Sequence, residues 1–411
     1  MKVIKKIFQL AFILFLTTGC QNSVESISDN NRVEILLTRS EAEIVSNQNK
    51  FAFKFYNTIP KNDQNVVISP LSASIDLSML ANIATESYRR EIVELLSPEN
   101  DLSKLNEFNK RIVESIKDAD KTTEIRIDNA IWFPNNAWTS ALEEVNNSFA
   151  TNCTQYYNAT ISRTEENTTF DPNAIADWVN NSTKGLVNIP SDEIESYKMA
   201  KFIILNTLYF QGQWMSKFNE SKTTSASFTN SDGTISEVRM MSQKDATASA
   251  YADEKFSTLR MKFGNGAFTI YFILPNDKTV GEIASLLSSE VWENTKANLI
   301  GYGVNISLPK FELSNSINLG EHMDKLGLKC FSNIASDEMD ELFAGIDLKF
   351  NQNIFFKIDE SGAEIAAQTN VKGMESSVGP LDKFTIDHPF LFIIEESSTG
   401  AIMFMGEVNK M

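Results

Sequence analysis

Residues 200–214, AKFIILNTLYFQGQW, are almost continuously apolar, and read as a central strand covered on both faces. Such a strand obliges the rest of the chain to supply a layer on either side of a sheet. With 411 residues, 42% hydrophobic and 22% charged, the chain can bury a large core as one big domain or two. No linker-like run divides it.

The periodicity on either side supplies those layers. Ser40-Glu41-Ala42-Glu43 has the form of a capping box, and Ile44, Gln48, Phe51, Phe55 and Ile59 follow at helical spacing. Asn65 to Ser69 is a short strand, with Ser69 as N-cap and Pro70 at the first position of a helix, LSASIDLSMLANIA, whose Ser72, Ser74 and Ser78 let another backbone approach closely. Helices are expected at 86–96 and 102–116, in SALEEVNNSFATNC, and in DPNAIADWVNNSTKG, which Gly185 ends. Glu124 to Phe133 alternates Ile125, Ile127, Asn129, Ile131 and Phe133 on one face, the pattern of a strand. Thr258 to Pro275 is a hairpin turning at Gly264-Asn265-Gly266. A helix at 280–287, a strand VNISLPKFEL, a helix INLGEHMDKLGL and a long strand IDLKFNQNIFFKIDE come next. Two further strands, FTIDHPFLFIIEE and GAIMFMGEV, close the chain. The class is α+β, with helices mostly early and sheets of mixed direction.

Between the last long strand and Phe390 lies a segment that has a strand's pattern without a strand's propensity. Ala363, Ile365, Ala367, Thr369 and Val371 form one row at period two, against Glu364, Ala366, Gln368, Asn370 and Lys372 on the other. Alanine is a weak strand former and GMESSVGP favours loops, so the segment reads as a strand waiting for a sheet to receive it.

A net charge of −17 repels nucleic acid and anionic lipid headgroups and favours solubility. Residues 1–20 have a basic start, a short apolar run and Thr17-Thr18-Gly19-Cys20, resembling a bacterial lipoprotein signal in which Cys20 receives the lipid. The expectation is export and lipid anchoring to the cell envelope, at the outer membrane or cell surface, with residues 21–40 as a polar tether and the folded domain from 41 to 411. Cys153 and Cys330 then remain as free or partly buried thiols. With two histidines, His322 and His388, and no CxxC, HExxH or GxSxG pattern, the chain is expected to hold no metal or cofactor and to catalyse no reaction. Asp387-His388 reads as the start of a strand.

Six segments together resemble the serpin family: NVVISPLSASIDLSML, DWVNNSTKG, LNTLYFQGQW, LPKFEL, DESGAE and DHPFLFIIEESSTGAIMFMGEV, in the family's order across residues 41–408. The resemblance implies one domain with a large central mixed sheet, two smaller sheets, about eight or nine helices and an exposed reactive loop near 360–386. It implies a suicide-substrate inhibitor: a protease cuts the loop, whose amino-terminal part inserts as a strand between FIILNTLYF and FNQNIFFKIDE and traps the acyl-enzyme. The alternative is a serpin-like binding protein cut as a plain substrate.

By the same resemblance the hinge comprises Glu360, Gly362, Ala363, Ile365, Ala366 and Ala367, of which Ile365, like Gln368 beyond it, is bulkier than the family's usual small residues. The family's spacing puts the scissile bond at Ser376–Ser377, with Met374, Glu375 and Lys372 as further candidates. A small Ser or a Met suits an elastase-like serine endopeptidase or a papain-like cysteine protease. Ser69, Ser72 and Asn206 match the polar cluster beneath the main sheet, Gln352 stands where the family has His, and Trp214 matches the aromatic where the loop first enters. The inhibitor is expected to be a monomer.

Overall fold

The computed structural model describes residues 31–60, 63–133, 143–163, 170–187, 189, 191–200, 202–332, 348–360 and 381–411. In chain order the elements are α1 (Arg39–Thr58), β1 (Val66–Ile68), α2 (Pro70–Ala81), α3 (Glu86–Leu96), α4 (Leu102–Asp118), β2 (Glu124–Phe133), α5 (Glu143–Tyr157) and β3 (Thr160–Arg163). Next come α6 (Pro172–Ser182), α7 (Ser191–Ser196), β4 (Phe202–Gln211), β5 (Thr224–Thr229), β6 (Ile235–Ala252), β7 (Phe256–Phe263) and β8 (Phe268–Pro275). Then follow α8 (Val280–Leu286), α9 (Ser289–Ala297), β9 (Ile300–Pro309), β10 (Phe311–Asn318), α10 (Leu319–Lys325), α11 (Lys329–Ser332) and β11 (Leu348–Ile358). The chain closes with β12 (Lys383–Thr385), β13 (Phe390–Glu396) and β14 (Ile402–Val408).

The apolar run becomes β4, buried along its length up to Gln211, at the centre of a five-stranded sheet of order β10-β11-β4-β2-β3. Its two faces serve two layers. Phe202, Ile204, Leu208 and Phe210 point into the main core, whereas Ile203, Leu205 and Tyr209 pack under α6 with Trp132 and Phe355. On the core side lies α2, all of whose residues are buried. Ser69 caps it by accepting the Ser72 N–H at 3.1 Å, and Pro70 sits in the first turn, where its missing N–H costs no bond. On the opposite side Trp178 of α6 meets Trp132 edge-on, with ring centroids 5.5 Å apart. Gly185, at φ +77°, donates its N–H to Asn180 O and ends that helix as expected.

The two smaller sheets expected run together as one nine-stranded path, β1-β14-β13-β8-β7-β6-β9-β12, with β5 on β6. The long β6 joins them, pairing with β5 along its first part, with β9 from Met240 to Ala250 and with β7 at its end. Several elements depart from their expected bounds. The first capping box is Thr38 with Glu41 rather than Ser40 with Glu43: Thr38 N–H donates to the Glu41 carboxylate at 2.7 Å, and Arg111 of α4 holds the same carboxylate. Packing reaches back to Ile35, which is buried and donates its N–H to Ser398 Oγ. VNISLPKFEL is two strands in two sheets, β9 and β10, separated at Lys310, and FTIDHPFLFIIEE is β12 and β13, separated at 386–389. In INLGEHMDKLGL, Ile317 and Asn318 still belong to β10, and α10 begins at Leu319. The strands β3, β5 and β6 and helices α7, α9 and α11 had no counterpart in the sequence reading.

Candidate functional site

The site is the seam between β4 and β11. These strands run parallel, in register from Leu348 opposite Phe202 to Phe356 opposite Phe210. Their outer neighbours β10 and β2 are each antiparallel to them. A third strand running antiparallel to both can hydrogen-bond to two parallel neighbours at once. A chain that leaves β11 at Glu360 and turns back has that direction.

The head of the seam is already parted. Pairing stops at Phe356 and Phe210, although β4 continues to Gln211 and β11 to Ile358. Beyond that point lies a cavity of about 210 Å³ whose lining includes Gln211, Gly212, Trp214, Phe355, Lys357 and Asp359. Trp214 closes one end: its indole Nε1 donates to Asp359 O at 2.7 Å, and its ring stacks on Phe263 with centroids 4.7 Å apart. Gly212 is required here because a Cβ would sit 2.7 Å from the Phe210 ring. Glu360 is pinned beside it, accepting from Thr223 Oγ1 at 2.6 Å and pairing with Lys310 Nζ at 2.6 Å. Burial opposes ionisation of Glu360, but the bonds from Lys310 and Thr223 outweigh it and hold the carboxyl below its usual range.

Midway down the seam the core face is polar. Gln352 clasps the backbone of Ser69 in both senses: its Oε1 accepts the Ser69 N–H at 2.9 Å, and its Nε2 donates to Ser69 O at 2.9 Å. An amide does this without titrating, whereas a histidine would change roles with pH. Opposite Gln352 in register is Asn206, whose Nδ2 donates to Asn129 Oδ1 at 2.7 Å, and Asn129 donates in turn to Tyr157 O at 2.8 Å. Three amides thus stand at one level across β11, β4 and β2.

The five expected residues of the sheet-opening cluster therefore separate into two places. Ser69, Ser72, Gln352 and Asn206 lie at the middle of the seam, and Trp214 lies at its head with the hinge. Of the expected hinge, Glu360 is described; Gly362, Ala363, Ile365, Ala366 and Ala367 lie outside the described residues. So do the reactive-site candidates Met374, Glu375, Ser376 and Ser377, and Cys20.

The sequence reading missed Asn129, Tyr157, Thr223, Lys310 and Asp359. Asn129 carried a signal: it is the polar residue in a row of isoleucines on β2. Lys310 carried none, since its role depends on the chain changing sheets there. Asp76 of α2 was also missed as a charge-bearing group. It is 1% exposed, neither carboxyl oxygen has a hydrogen-bond partner, and burial pushes its pKa well up. Cys153 is buried, forms no disulfide, and its thiol is pushed up by burial, which leaves it inert. His388 bonds Asp387 Oδ1 at 2.9 Å and Pro275 O at 3.1 Å, a strand-start arrangement.

The central sheet thus has a parallel seam whose pairing ends at Phe356 and Phe210, and the chain leaves from that same end at Glu360. The chain belongs to the serpin family: the family model Serpin (serine protease inhibitor) matches residues 46–411. Members of the family are mostly protease inhibitors rather than catalysts. An uncharacterized serpin-like protein of Methanosarcina acetivorans is 24% identical, over 98% of this chain and 96% of that one. The leukocyte elastase inhibitor of Homo sapiens is 29% identical, over 57% of this chain and 65% of its own length. Among solved structures, human glycosylated kallistatin superposes with a TM-score of 0.74 at 25% identity, covering 91% of this chain and 99% of the other.

Proposed function

We propose that this protein is a suicide-substrate inhibitor of endopeptidases. A protease attacks the loop near Ser376–Ser377, and the freed amino-terminal part of the loop enters the β4–β11 seam as a new strand before the acyl-enzyme is hydrolysed. The target class is an elastase-like serine endopeptidase, with papain-like cysteine proteases as the second choice, because a small Ser or a Met would occupy the specificity pocket.

The observation that carries this reading is the seam itself: two parallel strands, unpaired beyond Phe356 and Phe210, at the end where Glu360 anchors the departing chain. The energetics suit it. About ten new ladder hydrogen bonds at about 1 kcal/mol each, with Ile365, Val371 and the alanines buried, supply on the order of 10 kcal/mol or more. Whole-domain stabilities are about 5–15 kcal/mol, so the uncut fold is a kinetic trap relative to the inserted one.

Melting curves before and after nicking the loop test the reading. Insertion raises the midpoint by about 12 °C or more, the shift that about 10 kcal/mol gives in a domain of this size, and a denaturant-resistant complex with the protease accompanies it. An unchanged curve would overturn the proposal in favour of a binding protein that is cut as a plain substrate.

A further inference from the structure

The outer face of the same seam carries a side-chain cluster that strand insertion does not itself use. After α6 the chain crosses back over the sheet through α7 and a 3-10 turn at Tyr197–Met199, and then enters β4. Within this strap, Glu193 Oε1 accepts three bonds: from Tyr197 OH at 2.7 Å, from Ser316 Oγ at 2.9 Å and from Asn351 Nδ2 at 2.5 Å. Ser316 stands on β10 and Asn351 on β11, whereas the strap is continuous with β4. The carboxylate therefore joins the strand on one side of the seam to both strands on the other, through bonds that an ionised acceptor strengthens.

The level of this contact matters. Asn351 and Gln352 are neighbours on β11 pointing to opposite faces, so Gln352 holds Ser69 inside while Asn351 holds Glu193 outside. One residue further along, Asn353 and Thr207 face each other in register across the seam. They are 0% and 1% exposed, and none of their side-chain polar atoms has a hydrogen-bond partner. Cross-seam side-chain bonding at this level thus comes from the strap rather than from the strands. A strand entering between β4 and β11 would move β11 and β10 away from β4 by about 4.8 Å. Hydrogen bonds of the lengths seen at Glu193 cannot span that displacement unless the strap lifts off the sheet.

We infer that Glu193 is a latch, a positioning residue whose bonds to Ser316 and Asn351 keep the seam closed in the uncut protein and must break before a strand can pass this level. The inference rests on the insertion reading above. It adds a control on its rate that lies outside both the loop and the core-face cluster.

The test compares Ser316→Ala, Asn351→Ala, Glu193→Ala and Tyr197→Phe. The uncut proteins are held at elevated temperature, and conversion to a heat-resistant, inserted form is followed with time. Ser316→Ala and Asn351→Ala are each expected to convert about tenfold faster, the factor that about 1.4 kcal/mol supplies. Glu193→Ala should convert at least as fast as either. Tyr197→Phe should stay within about twofold of wild type, because its bond to Glu193 lies within the strap and its contact with Asn351 is the long one, 3.4 Å. Nicked forms of all four should melt together with nicked wild type. Equal acceleration by Tyr197→Phe would show general loosening, and wild-type rates in Ser316→Ala and Asn351→Ala would show no latch; either result refutes the inference. Ser316→Ala, the mildest change, keeps the test decisive if Glu193→Ala does not fold. If nicked wild type gains no heat resistance, insertion itself fails and the latch fails with it, an outcome read from the wild type alone.

Discussion

Replacing Gln352 by alanine removes the clasp that ties β11 to the start of α2. The Ser69 N–H loses its acceptor at 2.9 Å and is left buried, at a cost of about 1–3 kcal/mol. Ser69 O also loses the Gln352 Nε2 donor but keeps the Ala73 N–H at 3.0 Å, so that side costs only one ordinary hydrogen bond, about 0.5–1.5 kcal/mol. The missing methylene adds about 0.8 kcal/mol. The total is about 2–5 kcal/mol. Unfolding entropy of about 2.1 cal/mol/K per residue, over the roughly 370 residues of the folded region, gives about 0.8 kcal/mol per degree, so the midpoint should fall by about 3–7 °C. Calorimetric or circular-dichroism melting of the uncut protein at neutral pH reads this directly. Gln352→Glu provides the internal control: it keeps the acceptor for Ser69 N–H but turns a carboxylate oxygen toward Ser69 O. It should therefore be worse than alanine at neutral pH and recover in acid, where a protonated carboxyl can donate. A midpoint for Gln352→Ala within about 1 °C of wild type would refute the clasp as a support of the seam.

Two further perturbations act on other links of the same mechanism. Ala363→Arg places a charge in the row assigned to the buried face of the inserting strand. The denaturant-resistant complex should disappear while cleavage of the loop continues, and trapping as efficient as wild type would show that the inward row is wrongly assigned. Asp76→Ala removes a buried carboxyl with no hydrogen-bond partner and should stabilise the uncut protein by about 1–3 kcal/mol. The gain depends on pH with a definite sign. The folded pKa of Asp76 lies above its ordinary value of 3.8, so its penalty is absent below that range and grows as pH rises through it. Melting should therefore show a larger gain at pH 7 than near pH 3, and an equal gain at both would sink the reading that burial raises the pKa of Asp76.

Features set by neighbours in the chain were legible from residues alone. Ser69 and Pro70 specify the start of α2 through contacts three residues apart, and the hairpin turn at Gly264 and Gly266 needs the positive φ that both adopt. The run 202–211 could only be a strand with two covered faces. The family's motifs carried Ser69, Ser72, Asn206, Trp214 and Gln352 to positions that the fold then divides between the middle and the head of the seam.

Long-range pairing decided the rest. Thr38-Arg-Ser-Glu41 and Ser40-Glu-Ala-Glu43 are equally good capping boxes by pattern, and Arg111, on another helix, holds Glu41. VNISLPKFEL contains nothing that says β9 and β10 belong to different sheets, because a strand's partners, not its own alternation, determine where the chain crosses over. Lys310, left at that crossing, became the partner of Glu360 for the same reason. Local residues thus settled the strand, the helix cap and the turn. Only the tertiary structure set β4 beside β11 in parallel, parted their head around Trp214 and stretched Glu193 across them, since each of these needs backbone far apart in sequence to arrive at one place.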